Sequence, residues 1–349
     1  MTAALLTHRE RVLRTFRFEG TDRLACDLME GTVWPALLDY FRSTHGLGQP
    51  PQVLDFLDAD FRWIWTEYLP LPPEAGSGAR GEHTSDVSQG PLMNARSVAE
   101  VESYAWPEPI PWQAPDFAAA RRRWPDHALA FSPGWYPLFW GACEAFGVET
   151  ALLNLAVAPE LVECAVQCRH ERFMERLMLG VQAAQGFCDV CWLADDFAGQ
   201  ESLLLSPGQW RRIVKPALAE QVRLVKAHNL RVLYHSCGAV RPVLADLIEI
   251  GIDGLVVFQT NATGMDAMSI AAEFGGRMVF YGGIDVQHLL SFATPAEVRA
   301  TVQSNARAFA ACGGYIVANS HHSVPTIRGQ NVEAMFAAGQ QVPGSRARG

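Results

Sequence analysis

Eight short runs of apolar, β-prone residues recur along this chain of 349 residues, and helical patterns separate them. The runs span residues 24–30, 61–65, 128–135, 190–197, 231–237, 254–260, 278–285 and 314–321. In the second half of the chain the spacing is regular, and a helical pattern precedes each run. Strands that alternate with helices pair in parallel through right-handed crossovers. Eight such units predict a (β/α)₈ TIM barrel, and a doubly wound sheet is the main rival fold.

Two of the helix starts are marked by their capping residues. Ser206 and Thr294 are each followed by a proline and, three residues on, by Gln209 or Glu297. This spacing is typical of a capping box with proline in the first helical turn. We therefore expect a helix to begin directly after each of the two residues.

One segment, residues 66–127, breaks the rhythm between the second and third runs. It is rich in proline and contains the sequence GSG at 76–78. Long ordered loops in compact domains are often lids or binding loops. A flexible linker is the alternative, although Tyr104, Trp106 and Trp112 indicate that the segment packs against something. We expect residues 1–340 to form a single barrel domain with an irregular insertion or lid at 66–127, followed by a flexible tail at 341–349.

Charge and hydropathy exclude several classes of function. The net charge is −9 and the chain has no run of Lys and Arg longer than the three arginines at 121–123, so nucleic acids and anionic membranes have little electrostatic reason to bind. No stretch of 18 unbroken apolar residues occurs, and the first residues, MTAALLTHRERVLRTF, lack the apolar core of a signal peptide. We predict a cytoplasmic protein whose eight cysteines are free thiols or metal ligands. A homodimer is compatible with the sequence.

Polar and ionisable residues gather where the apolar runs stop. At these ends lie Glu30, Asp195, Asp196, His235, Cys237, Gln259, Asp285, His321 and His322. In a barrel the carboxyl ends of the strands share one mouth, which is where barrel enzymes carry their chemistry. Because residues i and i+2 of a strand point to the same face, we expect His235 and Cys237 to converge there.

An imidazole and a thiolate at one point are ligands that zinc accepts readily. A third ligand must come from elsewhere, and His321 at the end of the last run is our first choice. Its neighbour His322 should face the other way. Cys312 is the second choice, although it precedes the last run and should lie at the opposite end of the barrel. The alternative to a zinc site is a buried histidine beside a buried cysteine.

Other residues near the expected mouth have two interpretations each. Gln259 is either a fourth ligand or substrate contact, or a structural hydrogen-bond partner. Of Asp195 and Asp196, at most one should enter the mouth, as a general acid or as a hydrogen-bond partner of a ligating histidine; a helix cap is the alternative. Glu30 could serve as a base or substrate anchor.

Aromatic residues follow the third run. Trp135, Tyr136 and Trp140 could form the wall of a substrate pocket, and packing in the core is the alternative.

The sequence resembles the uroporphyrinogen decarboxylase-like superfamily, most closely its zinc-dependent, cobalamin-linked methyltransferases. The resemblance covers nearly the whole chain and includes RERVLRTFRFEGTDRLACD at 9–27 and WLADDFAGQESLLLSPGQWRRIVKPAL at 192–218. It is sharpest in YHSCGAVRPVLADLIEIGIDGLVVFQ at 234–259, MVFYGGIDVQHLL at 278–290 and GGYIVANSHHSVP at 313–325. It implies a barrel with its site at the mouth, and a zinc site made of His-x-Cys and a distant Cys. Here His321 stands at the position of the distant Cys, which gives a Cys/His₂ set.

The resemblance implies a zinc-dependent demethylase that moves a methyl group from a small methylated substrate, such as a methoxylated aromatic, to a reduced corrinoid. The chain lacks an Asp-x-His-x-x-Gly signature for binding cobalamin, so a separate corrinoid protein should supply the cofactor. Zinc would stabilise the oxygen anion that the departing methyl group leaves behind.

Three alternatives stay open. A decarboxylase of the uroporphyrinogen type ranks second, because the stretch DLMEGTVWPALLDY at 27–40 has no Arg for gripping carboxylates and Glu30 would repel them. Methyl transfer from a methylcobamide to a thiol is another alternative. The last is a metal- or corrinoid-binding module without turnover.

Overall fold

The computed structural model describes residues 5–66, 88–107, 114–322 and 324–344. Its strands are β1 (Ala25–Cys26), β2 (Phe61–Trp65), β3 (Ala128–Ser132), β4 (Val190–Ala194), β5 (Arg231–His235), β6 (Gly254–Phe258), β7 (Val279–Ile284) and β8 (Tyr315–Asn319). The first helices are α1 (His8–Phe16), α2 (Pro35–His45), α3 (Pro50–Phe56), α4 (Val98–Ser103), α5 (Phe117–Arg123), α6 (Phe139–Phe146), α7 (Val148–Val157) and α8 (Pro159–Ala184). The others are α9 (Pro207–Ile213), α10 (Lys215–Ala227), α11 (Leu244–Glu249), α12 (Ala267–Phe274), α13 (Leu289–Phe292), α14 (Pro295–Phe309) and α15 (Gly329–Gln341).

All eight strands pair in parallel in the order β1-β8-β7-β6-β5-β4-β3-β2. The sheet is a nearly closed barrel in which β1 and β2 flank the seam. Asp60, directly before β2, bridges that seam: its N–H donates to the carbonyl of Cys26 at 2.8 Å, and its Oδ2 accepts from the N–H of Cys26 at 2.7 Å. The predicted (β/α)₈ TIM barrel is confirmed.

The barrel has two apolar cores, one on each face of the sheet. One fills the barrel, with side chains such as Ala25, Phe61, Trp192, Tyr281 and Ile316, and the other lies between the strands and the surrounding helices. Both faces of the strands are therefore covered, as expected of an all-parallel sheet, although Trp63–Trp65 at the end of β2 are only half-buried.

The predicted helix starts are confirmed. The side chains of Ser206 and Thr294 accept from the backbone N–H groups three residues on, and the side chains there return the bond, which makes a capping box in each case.

The segment between β2 and β3 is described only in part. Within residues 88–107 and 114–127 it forms α4 and α5, and it buries Trp106 and Phe117 against the outer core. Residues 67–87 and 108–113, with Trp112 among them, lie outside the described ranges, as do residues 345–349 of the tail. The role of the segment as a lid stays a prediction. In the described part of the chain, no helix combines the length and the hydropathy that a membrane crossing needs.

Candidate metal centre

Three side chains meet at the carboxyl ends of β5 and β8. The ligand atoms of His235, Cys237 and His321 all lie within 4.8 Å of one another. Sγ of Cys237 is 3.7 Å from Nε2 of His235, and the two imidazole rings are 6.2 Å apart. In a tetrahedral zinc site with bonds of about 2.0–2.3 Å, neighbouring ligand atoms are about 3.3–3.8 Å apart. Small side-chain movements would therefore bring all three onto one ion, and the set of two imidazoles and one thiolate suits zinc.

Glu30 holds the back of this centre. Its Oε1 lies 2.7 Å from Nδ1 of His235 and also accepts from Nε1 of Trp192 at 2.7 Å. With Nδ1 donating to the carboxylate, Nε2 of His235 is free to face Cys237 and a cation, which is the usual arrangement behind ligating histidines. Glu30 is fully buried. It was predicted as a base or substrate anchor, and the structure places it behind a candidate ligand.

The backbone at Glu30 explains how its carboxylate reaches His235. β1 ends at Cys26, and a 3₁₀ turn follows at Met29–Gly31 with φ 56° and ψ 25° at Glu30. A left-handed conformation costs a non-glycine residue about 1–2 kcal/mol, so surrounding contacts must hold it. The prediction of a strand over 24–30 is wrong beyond Cys26 for this reason.

The charges of the centre are coupled. Burial would raise the pKa of Glu30, but the adjacent His235 lowers it below its usual value. Burial would lower the pKa of His235, but Glu30 raises it well above the usual value. Burial lowers the pKa of His321 to about 4, with help from His235 and His322. His321 is therefore neutral at pH 7, as a metal ligand must be. Burial also raises the pKa of the Cys237 thiol to about 11. A cation would therefore have to displace the proton of this thiol and, because the pKa of His235 is raised, the proton on Nε2 of His235.

The prediction that His322 faces away from the site is wrong. Its Nε2 lies 3.3 Å from Oε2 of Glu30, and its ring is 6.5 Å from that of His235. β8 ends at Asn319, so the alternation of a strand no longer applies to the two histidines that follow. The carboxylate of Glu30 therefore lies between two imidazoles.

Cys312 was the second choice for a ligand. Its Sγ lies 3.6 Å from the carbonyl of Phe309, the last residue of α14, and it does not belong to the cluster of three candidate ligands.

The two aspartates after β4 have different partners. The carboxylate of Asp195 accepts from the backbone N–H groups of Phe139 and Trp140 at 2.7 and 2.9 Å, which caps the start of α6. Burial raises its pKa to about 7. Oδ1 of Asp196 accepts from the N–H of Cys237 at 2.9 Å, so it fixes the backbone of a candidate ligand. Roles of either aspartate as a general acid stay predictions.

Gln259 steadies the loop that follows Cys237. Its Oε1 accepts from the N–H of Gly238 at 2.7 Å and from Nε2 of Gln200 at 2.9 Å. The register of β6 shifts between Val256 and Phe258, and Val257 has φ 70°. This irregularity precedes the buried Gln259 directly. The contacts fit its structural interpretation, and a role as a fourth ligand stays a prediction.

Of the three aromatic residues predicted to line a pocket, Trp135 borders the centre, with its ring 5.6 Å from that of His235. Tyr136 stacks on Phe173 at 5.3 Å, and Nε1 of Trp140 donates to Glu144 at 3.0 Å.

Sequence reasoning missed the aromatic residues inside the barrel. The ring of Trp192 lies 5.5 Å from that of His235, and Trp65 packs edge-on against Trp192 at 5.2 Å. The signal was present in β2, where Phe61, Trp63 and Trp65 alternate and therefore share one face.

A separate groove of about 670 Å³ lies beside the centre, between α7 and the loops after β4, β5 and β6. Its lining includes Leu152, Leu155, Leu204, Ala239 and Arg241, and it contains none of the three candidate ligands.

A family model matches part of this chain, and one solved structure shares its fold. Residues 176–342, which include all three candidate ligands, match the family model described as Uroporphyrinogen decarboxylase (URO-D).

A methyltransferase from Methanosarcina mazei superposes with a TM-score of 0.65 at 18% identity, covering 95% of this chain and 98% of that chain. An L-ribulose 3-epimerase follows with a TM-score of 0.37 and 15% identity over 65% of this chain and 73% of that one. A D-psicose 3-epimerase from Clostridium cellulolyticum H10 has the same TM-score, 0.37, at 10% identity, with 83% of this chain and 88% of that chain covered. A search of curated proteins gave no match. The family match over the second half of the chain supports the uroporphyrinogen decarboxylase-like superfamily.

Proposed function

We propose that the protein is a zinc-dependent demethylase, in which His235, Cys237 and His321 hold the ion and a separate corrinoid protein receives the methyl group. The observation that carries the proposal is the approach of these three ligand atoms to within 4.8 Å of one another, with Glu30 bonded to the far nitrogen of His235. The URO-D match and a structural neighbour that is called a methyltransferase support an enzyme of this broad type.

When bound, zinc would supply Lewis acidity to the heteroatom that the methyl group leaves. The residues of the chain prepare the site for this. Glu30 keeps the proton of His235 on Nδ1, so that Nε2 can bind the ion. Asp196 fixes the backbone of Cys237. Trp135 and Trp192 place apolar surface beside His235, which suits a small apolar substrate such as a methoxylated aromatic.

A decarboxylase of the uroporphyrinogen type is the second candidate, and the description of the matching family model favours it. Glu30 weighs against it, because the two neighbouring imidazoles keep this buried carboxylate ionised where a substrate carboxylate would have to approach. Methyl transfer to a thiol is the third candidate. It is less suited to one thiolate and two imidazoles, because an additional anionic ligand would favour activation of the thiol.

The test uses the full chain, loaded with Zn²⁺ and incubated with free cob(I)alamin and a panel of methoxylated aromatics, methylamines and methanol. Formation of methylcobalamin, followed by its absorption spectrum and matched by loss of one methyl group from one donor, would support the proposal. The Cys237→Ala variant should form none. Rapid demethylation without any corrinoid, or release of CO₂ from uroporphyrinogen III with no methyl transfer, would contradict it.

A further inference from the structure

Glu30 can orient His235 only if the turn that carries it stays in place. Within the Met29–Gly31 turn, Glu30 has a positive φ, and its side chain reaches His235 in the metal centre. Its side chain is fully buried, so movement of the backbone would carry the carboxylate away from Nδ1 of His235. Something outside the turn must therefore maintain its shape.

Both backbone polar groups of Glu30 are bound by side chains from other strands. Its N–H donates to the hydroxyl of Tyr281, on β7, at 3.1 Å. Its carbonyl accepts from Nε1 of Trp65, on β2, at 3.1 Å. The turn is thus clamped from two sides of the barrel.

Asp27 determines the direction of the tyrosine hydroxyl. Oδ2 of Asp27 accepts from the hydroxyl of Tyr281 at 2.8 Å and from Nε1 of Trp63 at 2.7 Å. When the tyrosine proton points to Asp27, a lone pair of the oxygen is left for the N–H of Glu30. The same hydroxyl lies 3.2 Å from the carbonyl of Leu28, but that contact is the longer of the two.

The burial of Asp27 is not fully compensated by its hydrogen bonds. It is fully buried, and among the described residues its Oδ1 has no hydrogen-bond partner. An unsatisfied buried carboxylate oxygen destabilises a fold, and an apolar residue of similar size would avoid the penalty. The groups that benefit from Asp27 are Nε1 of Trp63 and the hydroxyl of Tyr281, and the hydroxyl is the one that binds the Glu30 turn.

We propose that Tyr281 and Asp27 are positioning residues of the metal centre, which hold the Glu30 turn in its left-handed shape and thereby fix the carboxylate on His235. The inference rests on the proposed function, because it assumes that His235 binds a metal. The line of contacts runs from Asp27 through the Tyr281 hydroxyl and the Glu30 backbone to Nδ1 of His235. Loss of groups that orient a ligand typically weakens metal binding by about 10–100-fold. Because Tyr281 acts through Glu30, we expect a loss of about tenfold.

The test compares Tyr281→Phe with Tyr315→Phe. Tyr315 is an equally buried tyrosine of the neighbouring strand β8, and its hydroxyl donates to the carbonyl of Gly282 at 3.0 Å. Zn²⁺ affinity is measured by competition with a chelator, and ligand geometry by the visible absorption bands of the Co²⁺-loaded protein. Tyr281→Phe should weaken Zn²⁺ binding about tenfold and alter the Co²⁺ bands. Tyr315→Phe should lower Tm and leave both unchanged.

Variants of Asp27 keep the inference testable if Tyr281→Phe does not fold. Asp27→Asn retains an oxygen acceptor for the tyrosine and should bind Zn²⁺ like the wild type, whereas Asp27→Ala should reproduce the loss. Wild-type affinity in both Tyr281→Phe and Asp27→Ala would overturn this inference alone. Failure of the wild-type protein to bind Zn²⁺ at neutral pH would overturn it together with the proposed function.

Discussion

The proposed metal centre predicts that zinc raises the melting temperature and that Cys237→Ala removes the effect. A ligand that binds only the folded state at about 100 times its Kd stabilises that state by about 2.7 kcal/mol. The entropy of unfolding is about 2.1 cal/mol/K per residue near 60 °C, so for 349 residues each kcal/mol changes Tm by about 1.4 °C. Zinc should therefore raise Tm of the wild-type protein by about 4 °C.

Cys237→Ala leaves only the two imidazoles. Loss of a ligand weakens binding more than the loss of a supporting group, so we expect a Kd at least about 100-fold higher. The same zinc concentration then stabilises by about 0.4 kcal/mol, which is below about 1 °C in Tm. The assay is differential scanning fluorimetry with and without ZnCl₂, together with metal analysis of the desalted protein.

The matched control is Cys164→Ala, which removes a partly exposed thiol on α8 that does not belong to the cluster. It should retain the full zinc shift. A zinc shift of about 4 °C in Cys237→Ala would refute the assignment of this thiolate as a ligand, because zinc would then bind the folded protein equally well without it.

Three further predictions follow from contacts around the barrel. Burial raises the pKa of Asp27 to about 7 from about 3.9 in the unfolded chain, so its ionisation costs stability increasingly from pH 4 to 7. Asp27→Asn should gain about 3 kcal/mol of stability over the wild type as pH rises from 5 to 8, and a pH-independent difference in Tm would contradict this. Gly238→Ala should weaken Zn²⁺ binding at least about tenfold in the chelator assay, since Gly238 has φ 82° and an added Cβ would lie 2.2 Å from the carbonyl oxygen of Gly199; unchanged affinity would show that the loop after Cys237 need not keep its shape. Asp60→Ala should lower stability by about 3–5 kcal/mol, because it removes the buried carboxylate that pairs with both Arg11 and Arg23 and leaves Arg11 with Asp22 alone. Zn²⁺ affinity measured on the folded variant should not change, since Asp60 lies at the opposite end of the barrel.

The fold was predictable because its determinants are local. Each strand core is a run of apolar residues, and the capping boxes at Ser206 and Thr294 depend on residues three positions apart. The errors fall at the strand ends. The strand predicted over 24–30 stops at Cys26, since the following residues leave the sheet and turn. Apolar character alone does not show where hydrogen bonding to a neighbouring strand ends.

The candidate ligands were predictable for a different reason. A parallel barrel brings the carboxyl ends of its strands together, so polar residues at the ends of β5 and β8 must meet whatever separates them in sequence. The bond between Glu30 and His235, which are 205 positions apart, was not predictable. It depends on a left-handed backbone at Glu30, and glutamate has no preference for that conformation that a sequence would reveal. The direction of the His322 side chain was predicted wrongly, because the alternation of a strand was assumed to continue past Asn319.

Glu30 would also compensate the net positive charge of a cation bound at this centre. A divalent cation held by one thiolate and two neutral imidazoles leaves a net charge of +1, and a buried charge is costly unless it is compensated. In place of the thiolate that a second cysteine would supply at position 321, Glu30 would supply a negative charge behind His235, since its Oε1 is bonded to Nδ1 of that residue. The compensating charge would therefore lie behind a ligand and not on the ion. An ion bound in this way would keep more of its Lewis acidity for a substrate atom at the open position, which would favour cleavage of a methyl–oxygen bond over activation of a bound thiol.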